Sequence, residues 1–304
     1  MIVVKKRNKS NYLRTLEAIN RRMILSDEEK LHLLNMQKGF EGELFFDSLV
    51  EEFLDLDALV LNDLLFTEKG NTFQVDTLIL TGDKILLFEV KNYAGNFEFN
   101  SHHLLTFPGK EIVNPLNKLD ETSIKRRQLL SKLNSNLKLD PVLIFVNSAF
   151  TLYNAPIDRP VIFPTQIREH FSKINKSVLP LSKKQHYLAD KILKEHHDES
   201  AFQHKFPNYT YHFLKKGLWC TECSSPTLTI TQRTCSCKTC GYRTSVEETI
   251  LRQIEDFKLL FPDLKVTTSV IYNWIDSMIP MTRIQKILLK HYTIRGATHG
   301  SYYE

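Results

Sequence analysis

Two carboxylates interrupt runs that are otherwise largely apolar. Asp76 lies in Phe73-Gln74-Val75-Asp76-Thr77-Leu78-Ile79-Leu80, and Glu89 in Lys84-Ile85-Leu86-Leu87-Phe88-Glu89-Val90-Lys91. Both runs read as strands, and Thr81-Gly82-Asp83 between them is a tight-hairpin signal. A carboxylate in such a strand is expensive to bury without a cation or hydrogen bonds. Paired strands lie about 5 Å apart, and side chains two apart on a strand share a face. Glu89 and Lys91 therefore point the same way. A register that sets Asp76 beside Glu89 gathers two carboxylates and an ammonium in one patch. Such a patch suits phosphodiester hydrolysis. Two oxygen ligands hold a Mg²⁺ (or Mn²⁺) that keeps several waters, and the metal acidifies one of them and neutralises phosphate charge. Lysine orients or helps deprotonate that water and offsets phosphate charge. The bland alternative is an edge pair with a surface salt bridge, and spacing alone leaves both readings open.

Glu43 adds a third carboxylate. In a helix over residues 43–54, Phe45, Phe46, Leu49, Val50, Phe53 and Leu54 gather on one face. Glu43 lies roughly 70° from the centre of that face and Glu41 roughly 130° away, so Glu43 can look towards the sheet. Its ordinary alternative is a solvated first-turn glutamate favoured by the helix dipole.

A second chemistry is written in the cysteines. All five lie between Cys220 and Cys240, and Cys220-x2-Cys223 is separated from Cys237-x2-Cys240 by thirteen residues. Two such knuckles bring four thiolates around a structural Zn²⁺. Gly241 suits the tight turn of a knuckle, and Thr227–Thr231 alternates as a ribbon strand does. Cys235 is a fifth candidate ligand, although using it in place of Cys237 spoils the two-residue spacing.

These groups need elements to hold them. Residues 11–25, 27–37, 43–54, 116–137 and 182–197 read as helices, with Ser26 and Glu29 as a capping box and Gly39 and Gly42 as breaks. Residues 58–65, 73–80 and 84–91 read as strands, 95–99 and 103–107 as further strands near the sheet edge, and 141–147 and 160–163 as short apolar runs. The order predicts an α/β fold with a mixed sheet flanked by helices. Residues 246–260, 268–278 and 281–291 predict a C-terminal helical unit. Its last two helices resemble a helix-turn-helix, with Arg283, Lys286 and Lys290 on one face and Arg295 in a following wing. These four are the candidate nucleic-acid-binding residues; a helical cap packed on the ribbon is the alternative. Lys125-Arg126-Arg127 reads as a solvated face.

At this point a resemblance becomes specific. Lys38-Gly39-Phe40-Glu41-Gly42-Glu43, Gln74-Val75-Asp76, Phe88-Glu89-Val90-Lys91-Asn92-Tyr93-Ala94-Gly95 and Asn114-Pro115-Leu116 resemble the nuclease-related domain, NERD, of the PD-(D/E)XK endonuclease superfamily. The resemblance implies a restriction-endonuclease-like fold, metal ligands at Asp76 and Glu89, a catalytic lysine at Lys91 and an auxiliary carboxylate at Glu43. It places Gln74 as a polar residue beside the site. Thr77 departs from the histidine of many members, and Asn117 and Lys118 stand where a glutamine is usual.

The resulting division is 1–37 as N-terminal helices, 38–200 as the nuclease-like domain, 201–218 as a linker, 219–243 as the zinc ribbon and 244–304 as the helix-turn-helix-like region. Residues 205–304 hold 13 Lys or Arg against 8 Asp or Glu, whereas the first 204 balance at 27 each. The whole excess of +5 lies in the C-terminal third, a mild bias towards a polyanion. No apolar run approaches the ~18 residues of a membrane span, and no secretory leader is evident, so a cytoplasmic protein is expected. The leading expectation is a metal-dependent nuclease acting on DNA. A catalytically inactive nuclease fold that binds or regulates DNA is the alternative, RNA as substrate stays open, and self-association is left open.

Overall fold

Ser26 starts helix α2 as a capping box. Its backbone N–H and its hydroxyl both donate to the Glu29 carboxylate at 2.7 and 2.8 Å, and the Glu29 N–H returns to Ser26 Oγ at 3.3 Å. The helix then runs without interruption over Asp27–Phe53, where two helices parted by glycines were expected. The reason lies in what the glycines face. A Cβ on Gly39 would meet nothing within 4 Å, whereas one on Gly42 would come 2.3 Å from Asn92 Cβ. Gly42 thus serves close approach rather than termination, and packing of Phe46 and Val50 outweighs the ~1 kcal/mol helix cost of each glycine.

The computed structural model describes residues 1–68, 70–100, 103–107, 109–133, 135–177, 179–197, 205–297 and 300–304, with side chains except at 68, 121–124, 126, 129, 132 and 177. Arg126 of the basic run and residues 298–299 of the expected wing thus lie outside the described side chains or residues. The chain divides into two compact units, Met1–Asn8 with Asn35–Gln203, and Lys9–Leu34 with His204–Glu304. The expected N-terminal segment 1–37 is accordingly shared between them.

The first unit is built on a six-stranded mixed sheet in the order β1-β2-β3-β4-β8-β10. Its strands are β1 (Ile2–Lys5), β2 (Leu59–Glu68), β3 (Asn71–Leu80), β4 (Lys84–Lys91), β8 (Lys138–Phe145) and β10 (Val161–Ile162). β3 pairs antiparallel with both β2 and β4, whereas β1–β2, β4–β8 and β8–β10 are parallel. One face buries Phe46 and Val50 of α2 and Leu54 just after it, with Phe171 and Ile174 of α4 (Ile167–Ser177). The other buries Leu130 of α3 (Pro115–Lys132) with Leu188, Ala189 and Ile192 of α5 (Lys183–Glu195). Both faces of β3 and β4 are covered, which explains their near-continuous apolar sequence.

Strands β5 (Gly95–Asn100), β6 (His103–Thr106), β7 (Glu111–Ile112) and β9 (Phe150–Tyr153) form a separate four-stranded sheet, ordered β7-β6-β5-β9. They do not extend the main sheet as expected. Gly95, at φ +101°, turns the chain out of line with β4, and its N–H donates to Ala149 O at 2.9 Å. Phe97, Leu104, Leu116 and Phe145 close a core beneath this sheet.

The second unit begins with α1 (Asn11–Arg22). Three short strands, β11 (Leu228–Ile230), β12 (Thr234–Cys237) and β13 (Arg243–Ser245), form an antiparallel ribbon. Helices α6 (Val246–Leu260), α7 (Thr268–Trp274) and α8 (Met281–His291) follow. Arg22 is the centre of this unit. Its guanidinium lies 3.6 Å over the Trp274 ring and 4.2 Å over Trp219, and it donates to Gln253 Oε1 at 2.7 Å and Lys215 O at 2.9 Å. Leu214 and Leu218, within the stretch read as a linker, are buried. Helix α7 stops earlier than its pattern implies, because Asp276 and Ser277 adopt φ of 55° and 58°. A hairpin of β14 (Ile294–Arg295) and β15 (Tyr302–Tyr303) stands where the wing was expected. No described helix is long and apolar enough to cross a membrane.

Candidate functional site

Asp76 sits where the sheet comes apart. The β2–β3 ladder pairs Asn62 with Thr77 and Leu64 with Val75 but skips Asp63 and Asp76, because Asp63 turns left-handed at φ 52°. The β3–β4 ladder ends at Thr77 and Phe88, one step before Asp76 and Glu89. Beyond this point the groups of Asp76 find other partners. Its Oδ2 accepts the Val90 N–H at 2.8 Å, and its carbonyl accepts Arg7 Nη2 at 2.8 Å. Asp76 and Glu89 thus stand at neighbouring positions on two strands, and both are buried.

Lys91 completes this group, as strand alternation predicts. Its Nζ donates to Glu89 Oε1 at 2.8 Å. Lys118, from α3, donates to the same oxygen at 2.9 Å. The two cations decide the charge on Glu89. Burial opposes its ionisation, but Lys91 and Lys118 outweigh that and hold the carboxyl at about 2. Asp76 goes the other way: burial pushes its carboxyl up and the Glu89 charge adds to the push. Burial also works against charge on Lys91, yet Glu89 and Asp76 keep its ammonium above the usual lysine range. The site is therefore an ionised Glu89 with a protonated lysine, beside a carboxyl that holds its proton more tightly than usual.

Glu43 reaches the neighbourhood from α2, and Glu41 is exposed, as the helical wheel implies. Burial pushes the Glu43 carboxyl up to about 8, Asp76 adds to this and Arg7 opposes it. Arg7 was missed by sequence reasoning. It follows β1, a strand of four residues too short to stand out by pattern, and its side chain is 1% exposed. It donates to Glu43 Oε2 at 2.7 Å, to Asp47 Oδ2 and Oδ1 at 2.9 and 3.1 Å, and to Thr77 Oγ1 at 2.9 Å. Thr77, the departure from the usual histidine, is thus a partner of Arg7. Asp63 was missed as well. Its carboxylate accepts Gln74 Nε2 at 2.9 Å, and Gln74 is the polar residue expected beside the site. Asn92 fastens α2 to the end of β4: its Nδ2 donates to Lys38 O at 2.8 Å, and its Oδ1 accepts Asn147 Nδ2 at 2.9 Å.

The four predicted zinc ligands converge. One ligand atom from each of Cys220, Cys223, Cys237 and Cys240 lies within 4.8 Å of the others. Sγ separations are 3.7 Å for Cys220–Cys240 and 3.5 Å for Cys223–Cys237. A tetrahedron with Zn–S of about 2.3 Å has edges of about 3.8 Å, so the donor set fits Zn²⁺. Cys235 lies outside this cluster, buried on β12 beside Thr249.

The predicted nucleic-acid-binding residues divide. Lys286 is exposed on α8 and Arg283 is half-buried, its charge acting on Cys235. Lys290 pairs with Glu247 at 2.7 Å, and Arg295 pairs with Glu304 at 2.9 Å. Those glutamates lie far away in sequence or beyond the helix, so spacing along α8 carries no sign of them.

With this geometry in place, the comparisons are direct. Residues 38–146 match the family described as the nuclease-related domain, NERD. The matched segment contains Glu43, Asp76, Glu89, Lys91 and Lys118; Arg7 precedes it. Comparison with curated proteins gives no match. The chain is similar to a solved structure, protein VC1899 from Vibrio cholerae, at 14% identity and a TM-score of 0.30, over 55% of this chain and 49% of that one. The chain thus spans about half the length of that protein.

Proposed function

We propose that the first unit is a PD-(D/E)XK-type nuclease that hydrolyses phosphodiester bonds in DNA, and that the second unit binds nucleic acid. The observation that carries this reading is the buried Asp76–Glu89 pair with Lys91 on Glu89, at a break in the sheet within the nuclease-related segment.

Asp76 and Glu89 fit a hard divalent cation. Their charges repel at close range, and Mg²⁺ prefers one or two carboxylates plus water. When bound, that cation lowers the pKa of a coordinated water and offsets phosphate charge. The chain's own residues do the rest. The Val90 N–H holds one oxygen of Asp76 in place. Lys91, kept as an ammonium, donates to the attacking water or to a phosphate oxygen and stabilises charge as it develops. Lys118, half-exposed on α3, exchanges Glu89 for the incoming phosphate. In the second unit, Lys286 and Arg283 remain the contacts proposed for the backbone. Lys290 and Arg295 would first have to leave their glutamates.

One observation favours the alternative of an inactive nuclease fold that binds DNA: two lysines already neutralise Glu89 Oε1. Cleavage assays decide between them. Single-stranded, duplex and branched DNA, with matched RNA, are incubated with the protein and Mg²⁺, Mn²⁺ or EDTA. Metal-dependent cutting of DNA supports the nuclease. Tight binding without cutting under every metal supports the alternative, and preferential cutting of RNA overturns the choice of DNA.

A further inference from the structure

Glu43 was expected to help the acid pair hold metal, and its surroundings indicate a different task. Arg7 makes five hydrogen bonds from its three nitrogens, two to acceptors on β3 and three to the carboxylates of Glu43 and Asp47 on α2. A guanidinium has five N–H donors in a rigid fork and no acceptor. Here all three nitrogens donate, and the side chain is nearly fully buried. A second cation placed on Glu43 would have to sit beside that buried charge, with little water to screen it. A separate observation agrees. Among the described residues, the four cysteines form the one group of three or more His, Cys, Asp or Glu with ligand atoms within 4.8 Å of one another. Glu43, Asp76 and Glu89 do not form such a group.

We infer that Arg7 makes the acid site a one-ion site: it claims Glu43 as a structural hydrogen-bond partner and leaves Asp76 and Glu89 as the carboxylate ligands of the ion. In this arrangement Arg7 is a positioning residue. It ties α2 to β3 through Glu43 and Asp47, and it holds the Asp76 carbonyl where the ladder breaks. The complete site then needs residues N-terminal to the nuclease-related segment. This inference rests on the proposal that Asp76 and Glu89 take a divalent cation, and it does not require that the protein cut DNA.

The test is Mn²⁺ binding to the full-length, zinc-loaded protein, followed by calorimetry and by electron paramagnetic resonance of the free ion. The wild type is expected to take up a single Mn²⁺ per chain. Asp76→Asn should weaken it by about 10–100-fold or more, the loss typical when a metal site is disturbed. Glu43→Gln should leave the affinity unchanged. Arg7→Met should admit a second Mn²⁺, because the cation that occupies the Glu43 and Asp47 oxygens is then gone, while Arg7→Lys should keep the count at one. If Arg7→Met does not fold, the contrast between Glu43→Gln and Asp76→Asn still decides. Two ions in the wild type, none, or a loss in Glu43→Gln as large as in Asp76→Asn overturns the inference. A protein that binds one Mn²⁺ and cuts nothing upholds it and sinks the nuclease reading. Cutting with two ions bound does the reverse.

Discussion

Lys91 Nζ lies 2.8 Å from Glu89 Oε1, two residues back on the same strand, with Lys118 on the same oxygen at 2.9 Å. One lysine is nearly buried and the other half-exposed, so they answer differently to substitution. Lys91→Ala is expected to slow cleavage roughly 10²–10³-fold, the loss seen when a charge-stabilising donor is removed from an active site. Duplex affinity should survive, because it comes from dispersed phosphate contacts. Single-turnover cleavage and a binding titration separate the two effects. Cutting at the wild-type rate under saturating Mg²⁺ would make Lys91 structural.

Gly39 and Gly42 lie one turn apart on α2 with opposite surroundings. Gly39→Ala should stabilise the protein by about 0.5–1 kcal/mol, since it adds helix propensity in open space. Gly42→Ala should destabilise it by about 1–3 kcal/mol, because its Cβ would overlap Asn92 Cβ and force a shift in a packed contact. Thermal melts of both variants give the comparison. Equal effects of the two substitutions would mean that α2 and Asn92 are not in the close contact described.

The zinc site should serve folding. Four thiolates close the coordination shell and leave no position for a nucleophilic water, and metal binding supplies folding free energy. Elemental analysis should find one zinc per chain, reduced in Cys237→Ser and unchanged in Cys235→Ser. Chelation should shift the fluorescence of Trp219, which adjoins Cys220. Undiminished zinc in Cys237→Ser would overturn the ligand set, and no zinc in the wild type would overturn the ribbon.

Lys216 offers a pH test of the second unit, which contains both tryptophans. Burial, helped by the charge of Arg22, lowers its ammonium from the ordinary 10.5 to about 8. Between those values the unfolded chain binds more protons than the folded one, so stability must rise with pH across that window. Thermal melts followed by tryptophan fluorescence should therefore move upward between about pH 8 and pH 10 in the wild type, and less so in Lys216→Met. An equal response in both proteins would remove Lys216 as the cause.

The acid pair and the zinc knuckles were legible because each is local. Asp76, Glu89 and Lys91 lie on strands joined by a three-residue turn, and the cysteines on one ribbon. What stayed hidden depends on distant segments. Arg7 reaches the site only because β1 pairs with β2, more than fifty residues away. Asp63 looks like one polar residue in a strand until its left-handed φ turns it out of the ladder opposite Asp76. The expected break in α2 failed because glycine carries two meanings, termination and close approach, and only Asn92 tells them apart. On α8 the spacing groups Arg283, Lys286 and Lys290, but it carries no sign of the glutamate that pairs with Lys290, which lies on α6.

The most direct test of the nuclease proposal is single-turnover cleavage of a labelled DNA duplex by the full chain, wild type against Asp76→Asn, with Mg²⁺ and with EDTA. The account predicts cutting by the wild type in Mg²⁺ alone, loss of cutting in EDTA, and loss in Asp76→Asn with its zinc retained. Equal cutting by Asp76→Asn, or cutting that persists in EDTA, would contradict it.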